Sequence, residues 1–257
     1  MKFRLGHIVI GLLAVTACDE GAVTAPEDTP ALHRQGGGDT ERIYEVTIEN
    51  LTTSQPFSPG VIVTHFDAQR RRSGKKHGPK FQLFHPGGAA SEGIRNIAEN
   101  GSPSVAVSEL FGAAGVSSVN ATIVPVHRIG GPGATSLTVE ITTDGRASRL
   151  SLAVMLICTN DGFVGVRNLR LPRGDHPITA YARAYDAGTE VNDELYESIV
   201  PPCGGIGPVA FDNANNARTV EGGKVRHHRG IRGGGDLDPA AHGWDGPVAK
   251  VTVRRIG

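Results

Sequence analysis

Apolar and polar residues alternate with a period of two in three stretches of the chain. Tyr44, Val46 and Ile48 alternate with Glu45, Thr47 and Glu49; Leu137, Val139 and Ile141 with Thr138, Glu140 and Thr142; and Ala249, Val251 and Val253 with Lys250, Thr252 and Arg254. That period predicts strands with one dry and one wet face. Residues 150–158, LSLAVMLIC, are almost continuously apolar between polar turns, the pattern of a central strand buried on both faces. Further strands are expected over 61–66, 121–126, 163–166 and 178–185. One helix is expected where Ser91 can cap the start, Ile94, Ile97 and Ala98 fall at helical spacing, and Asn100 with Gly101 can end it. About eight strands with one or two short helices and long loops predict an all-β fold, an antiparallel β-sandwich.

The N-terminus carries a different signal. Lys2 and Arg4 precede an apolar run from Ile8 to Ala17, which is about half of the ~20 residues a membrane-spanning helix needs. Residues 1–17 therefore read as a signal peptide. Val15, Thr16, Ala17 and Cys18 resemble the lipobox of bacterial lipoproteins, in which cleavage leaves a lipid-bearing Cys at the mature N-terminus. An ordinary secreted protein cut near Ala17 is the alternative. Residues 18–42, rich in Gly, Pro, Thr and charge, read as a flexible tether, which leaves 43–257 as the folded domain. The expected location is the bacterial cell envelope, with lipid on Cys18 holding the chain to a membrane.

Composition narrows the function classes. The 26 Lys plus Arg balance the 26 Asp plus Glu, so the basic excess of a nucleic-acid binder is missing. With 35 Gly and 16 Pro the chain is too heavily punctuated for a helical bundle. The sequence contains no GxSxG elbow, P-loop, HExxH or CxxC pair, and Gly130, Gly131 and Gly133, like Gly233 to Gly235, read as loops rather than dinucleotide turns.

Candidate chemistry lies at strand ends. Asp161 follows the buried strand in CTNDGF, and Asp186 follows the strand over 178–185 in YDAGT. If the chain runs up through 150–158, down through 163–168 and up again through 178–185, both aspartates emerge at one edge. There they offer the hard oxygen ligands that Ca²⁺ takes. The alternative is that each aspartate caps its own turn. His227, His228 and His242 lie near Asp236 and Asp238, but adjacent His227 and His228 on a strand face opposite ways, so a loop is the preferred reading over a zinc site. Arg70, Arg71, Arg72, Lys75, Lys76 and Lys80 form a basic loop, either solvated or a contact for anionic glycans or headgroups. With Cys18 taken by lipid, Cys158 and Cys203 are an even pair outside the cytoplasm and are expected to form a disulfide, the alternative being two separate thiols.

The strings YEVTIENLT, QPFSPG, SEGIRNIAENG, TNDGFVGV, YDAGTEVNDE and GGGDLDPAAHGWDGPVAKVTV resemble, in this order, the spondin domain in its bacterial secreted and surface form. The resemblance runs from about Tyr44 to Arg255. It implies a β-sandwich that binds a divalent cation, usually calcium, and serves in adhesion and ligand recognition, as in the extracellular matrix proteins F-spondin and mindin. It implies no catalytic activity. The family's metal-binding aspartates match Asp161 and Asp186, and its glutamate on the preceding strand matches Glu140. A tight hairpin over 144–148 would carry Glu140 toward the other end of the sheet from Asp161. Gly162 stands where the animal relatives have tryptophan, and their cysteine-rich modules do not follow, so their partners are not carried over. The function expected is a cell-envelope lipoprotein displaying a calcium-binding recognition or adhesion module for an extracellular protein or glycan. The alternative is a small metal-dependent envelope hydrolase.

Overall fold

The computed structural model describes residues 40–67, 81–121, 124–213 and 217–257, and the backbone alone of 32–33, 69–70 and 76–77. The strands are β1 (Leu32–His33), β2 (Arg42–Asn50), β3 (Phe57–His65), β4 (Gln69–Arg70), β5 (Lys76–His77), β6 (Val116–Ala121), β7 (Ser136–Thr143), β8 (Arg149–Leu156), β9 (Gly162–Arg170), β10 (Ile178–Asp186), β11 (Arg226–His227) and β12 (Ala249–Arg255). Between them lie α1 (Glu92–Asn100), α2 (Ser104–Leu110), the short α3 (Pro202–Ile206) and α4 (Pro239–His242), and a 3₁₀ turn over Tyr196–Ser198.

All pairings in the main sheet are antiparallel, in the order β1-β6-β3-β8-β9-β10-β12-β2-β7, with β11 on β10. The fold is all-β, as the periodicity predicts, and its two layers are one continuous sheet. The strand that joins them is β10, whose first half, Ile178 to Ala182, pairs with β12 while Arg183 to Asp186 pairs with β9. The sheet rolls until its far edges meet through hydroxyls: Thr143 on β7 bonds Thr64 on β3 at 2.7 Å and Ser117 on β6 at 2.8 Å. The result is a nearly closed barrel.

Alternation decides the faces. On β2, Tyr44, Val46 and Ile48 point inward to a core shared with Leu150, Leu152, Val154, Val164, Val251 and Val253. The apolar run of β8 is buried on both sides. Its even-numbered residues fill that core, Ala153 meets α1 and α2 on the outer face, and Met155 joins a third cluster beside Cys158 and Cys203. The helix α1 starts and stops where expected: the Ser91 hydroxyl accepts from Ile94 N at 3.2 Å, and Gly101 closes it at a φ of 65°.

One local expectation is corrected. The strand expected over 121–126 lies earlier, at β6, and Val126 makes only an isolated bridge to Phe57. β6 hides polar side chains rather than alternating: Ser117, Ser118 and Asn120 are buried, and Ser118 bonds Thr64 at 2.7 Å. The second helix, α2, stands directly after α1, and Gly93 lets the two pack closely, since a Cβ there would lie 2.6 Å from Ala106 Cα.

Candidate functional site

One end of the barrel is formed by the β8–β9 turn, the end of β10 and the loop that follows it. Thr159 shapes the turn: its hydroxyl donates to Leu156 O at 2.7 Å and accepts from Gly162 N at 2.9 Å. Asp161 is thereby placed at the sheet edge, fully buried, and Asp186 lies beside it because β10 pairs Asp186 with Gly162. The chain then turns at Gly188, whose φ is 71° and where a Cβ would meet the Lys224 backbone at 2.5 Å. Only glycine satisfies both conditions, which is the physical content of the YDAGT string.

The turn folds residues 189–190 back over Asp161. Its Oδ2 accepts from Thr189 N at 2.7 Å, Thr189 Oγ1 at 3.2 Å and Glu190 N at 3.1 Å, while its buried Oδ1 has no hydrogen-bond partner. Burial, followed by the nearby Asp186 charge, pushes the Asp161 pKa up to about 6 despite those donors. Asp186 is differently engaged. Its Oδ1 accepts from Gly188 N at 2.8 Å, and its Oδ2 accepts from Asn192 Nδ2 at 2.9 Å and pairs with Arg226 Nη2 at 3.1 Å.

A third carboxylate, not singled out by the sequence reading, lies in the same cluster. Glu190 is buried and pairs with Arg218 Nε at 3.1 Å. Burial still pushes its pKa to about 8, outweighing Arg218, with Glu99, Asp161 and Asp193 adding repulsion. The Glu194 carboxylate accepts from Arg232 N at 2.6 Å and Gly234 N at 2.8 Å, which ties the glycine-rich loop to this edge. A pocket of about 360 Å³ opens here, lined by Asp186, Asn192, Glu194, Glu221, Arg226 and His228 among others.

The structure brings Asp161 and Asp186 together, as the strand directions predict. It does not bring Glu140 to them. Glu140 is exposed on β7, opposite Glu45 of β2, and in the sheet order β10, β12 and β2 stand between β9 and β7. The reason is not a hairpin, because β7 and β8 do not pair and the 144–148 turn passes from one layer to the other. The histidines separate as well: His227 is exposed and stacks on Tyr185, His228 lies against Trp244, and His242 is buried on α4. Asp238 caps α4 through Ala240 N, and Asp236 accepts from Tyr196 N. Cys158 and Cys203 form the expected disulfide, with Cα atoms 5.1 Å apart. Residues 1–17 and Cys18 lie outside the described residues, as do Arg71, Arg72, Lys75 and Lys80 and the side chains of Arg70 and Lys76.

Among the described residues no group of three or more His, Cys, Asp or Glu side chains is arranged to hold a metal ion. The Asp161–Asp186 pair nevertheless supplies hard oxygens, and Asp161 Oδ1 is buried with no hydrogen-bond partner among the described residues. A cation there would draw the rest of its shell from Asp186, backbone carbonyls and water.

No curated protein matches the chain. The family model Spondin_N matches residues 44–198, a stretch that runs from β2 to the 3₁₀ turn and contains both aspartates, the FVGV and YDAGT strings and α1. β12, which completes the sheet between β10 and β2, comes after the matched stretch. With more than half of the 257 residues matched and an all-β fold around them, the chain belongs to the Spondin_N family, a spondin-like extracellular module.

Proposed function

We propose that this protein is an exported recognition and adhesion module with no catalytic activity of its own. In this reading lipid on Cys18 holds it at the bacterial cell envelope, and the Asp161–Asp186 edge takes calcium or another divalent cation. The observation that supports the cation most directly is Asp161 Oδ1, buried without a partner on a carboxyl whose pKa is pushed up to about 6. Leaving a buried anion uncompensated costs stability, and a cation removes that cost. The cation would supply positive charge and bridging between the β8–β9 turn and the end of β10. The protein's own part is to hold both carboxylates at one place: Thr159 fixes the turn, Thr189 and Glu190 amides orient Asp161, and Asn192 with Arg226 orient Asp186.

The ligand expected is an extracellular protein or glycan, met by the loops at this edge. Screening the full chain against immobilised glycans and extracellular proteins, with calcium and then with a chelator, tests the reading. Retention that the chelator releases is expected. Binding that is indifferent to the chelator would separate recognition from the cation, and no binding to either class would remove the adhesion role.

A further inference from the structure

At the barrel end opposite Asp161, strands begin and stop on arginine. Arg42 opens β2, Arg149 opens β8, Arg170 closes β9 and Arg255 closes β12, while Arg146 and Arg173 stand in the adjoining loops. Strand pairing gathers them: Arg42 lies opposite Thr143, Arg255 opposite Tyr44, and Arg149 directly opposite Arg170. Like charges facing each other across a ladder destabilise a sheet, so this placement is unfavourable for folding alone.

Two adjoining hollows lie among these side chains. One, of about 440 Å³, is lined by Thr40, Arg42, Gly145, Arg146 and Arg255, with no carboxylate side chain in its wall among the described residues. The other shares Arg42 and adds Arg149, Arg170 and Arg173, and among the described residues Asp67 is the one carboxylate lining it. Asp67 pairs with Arg149 at 2.7 Å and Asp144 with Arg146 at 2.9 Å, whereas Arg42, Arg170 and Arg173 have no ion pair with a described carboxylate. Glu41 and Asp175 are exposed nearby, and among the described residues arginine remains in excess when both are counted. The opposite end differs in kind: its carboxylates Asp186 and Glu190 are buried and paired with Arg226 and Arg218.

Guanidinium forks match phosphate oxygens bidentately, and several on one face of a rigid barrel suit a surface of phosphate groups better than a single small anion. We propose that the arginine end is a docking surface for the anionic phospholipid headgroups of the membrane that carries the protein. The proposal takes its partner from the lipid-anchored reading above. Residues 18–31 extend to at most ~50 Å, and a nine-residue strand is only ~30 Å long, so an anchored barrel can set this end on the bilayer. Docked so, the Asp161 edge faces away from the membrane, where a ligand meets it.

The test uses the full chain carrying Cys18→Ser, which has no acyl chain, sedimented with phosphatidylcholine vesicles with and without phosphatidylglycerol. Any contribution of the signal segment is common to all variants, so the readouts are differences between them. Binding should need phosphatidylglycerol and weaken at high salt. Arg42→Gln should lower the partition coefficient about fivefold, and the triple change Arg42→Gln, Arg146→Gln, Arg255→Gln about a hundredfold. A charge-matched triple change at the other end, Lys224→Gln, Arg229→Gln, Arg232→Gln, should leave it unchanged. Equal loss in both triple variants, equal binding to both vesicle types, or release by inorganic phosphate alone would overturn the proposal. Membrane partitioning of the unaltered chain reports separately on the anchor at Cys18.

Discussion

Asp161 was legible in the sequence because it lies in the turn after a strand whose direction could be read; what surrounds it was not. Glu190 with Arg218 and Asp186 with Arg226 are pairs separated by long stretches of chain, and only the fold decides which arginine meets which carboxylate. Glu140 shows the converse. A matching residue type on a plausible strand says nothing of the layer in which that strand lies. His228 is a further case in which surroundings outweigh residue type. Its Nδ1 accepts from Gly230 N at 3.0 Å, so Nε2 carries the proton, and Nε2 is buried without an acceptor. Burial lowers its pKa from 6.5 to about 4. The unfolded chain therefore binds this proton first, and the stability His228 contributes above pH 6.5 is lost as pH falls toward 4. His228→Asn keeps an acceptor for Gly230 N and removes the titration. Urea melts of the variant should show an acid limb shallower than wild type over that window, by on the order of 3 kcal/mol. Parallel limbs would mean that His228 is not held neutral.

At the scale of elements, the three period-two strands and α1 were readable because a residue's type and its face agree. β6 was misplaced because its buried residues are largely polar: Ser117 bonds Thr143 across the barrel seam, Ser118 bonds Thr64 on β3, and Asn120 donates to Ser118 of its own strand, none of which a hydropathy pattern reveals. The FVGV string gains a reason. On β9, Phe163 points to the outer cluster and Val164 and Val166 to the inner core, while Gly165 leaves the outer face bare. Phe84 and Tyr185 fill that space: a Cβ at Gly165 would meet Phe84 Cζ at 2.4 Å and Tyr185 Cδ2 at 2.8 Å. Gly165→Ala should therefore destabilise by about 1–3 kcal/mol through overpacking, although alanine suits a strand better than glycine. Chemical denaturation measures it, and a variant as stable as wild type would show that the aromatic cluster yields at no cost.

Across the whole molecule, one rolled sheet separates two chemistries. The strand starts at Arg42 and Arg149 and the strand ends at Arg170 and Arg255 collect at one pole, and the turns holding Asp161, Asp186 and Glu190 at the other. The disulfide from Cys158 to Cys203 ties the second pole together by linking the end of β8 to α3. The account rests on the acidic pole being incomplete without a cation, and calorimetry of the chelated protein before and after calcium tests this most directly. Calcium should raise the melting temperature of the wild type, by mass action ~2.7 kcal/mol at a hundredfold excess over its dissociation constant. Asp161→Asn and Asp186→Asn should each abolish that rise, and Asp236→Asn should keep it. If no divalent cation moves the transition, or if Asp236→Asn alone loses the effect, the Asp161–Asp186 edge is not a metal site and the account is contradicted.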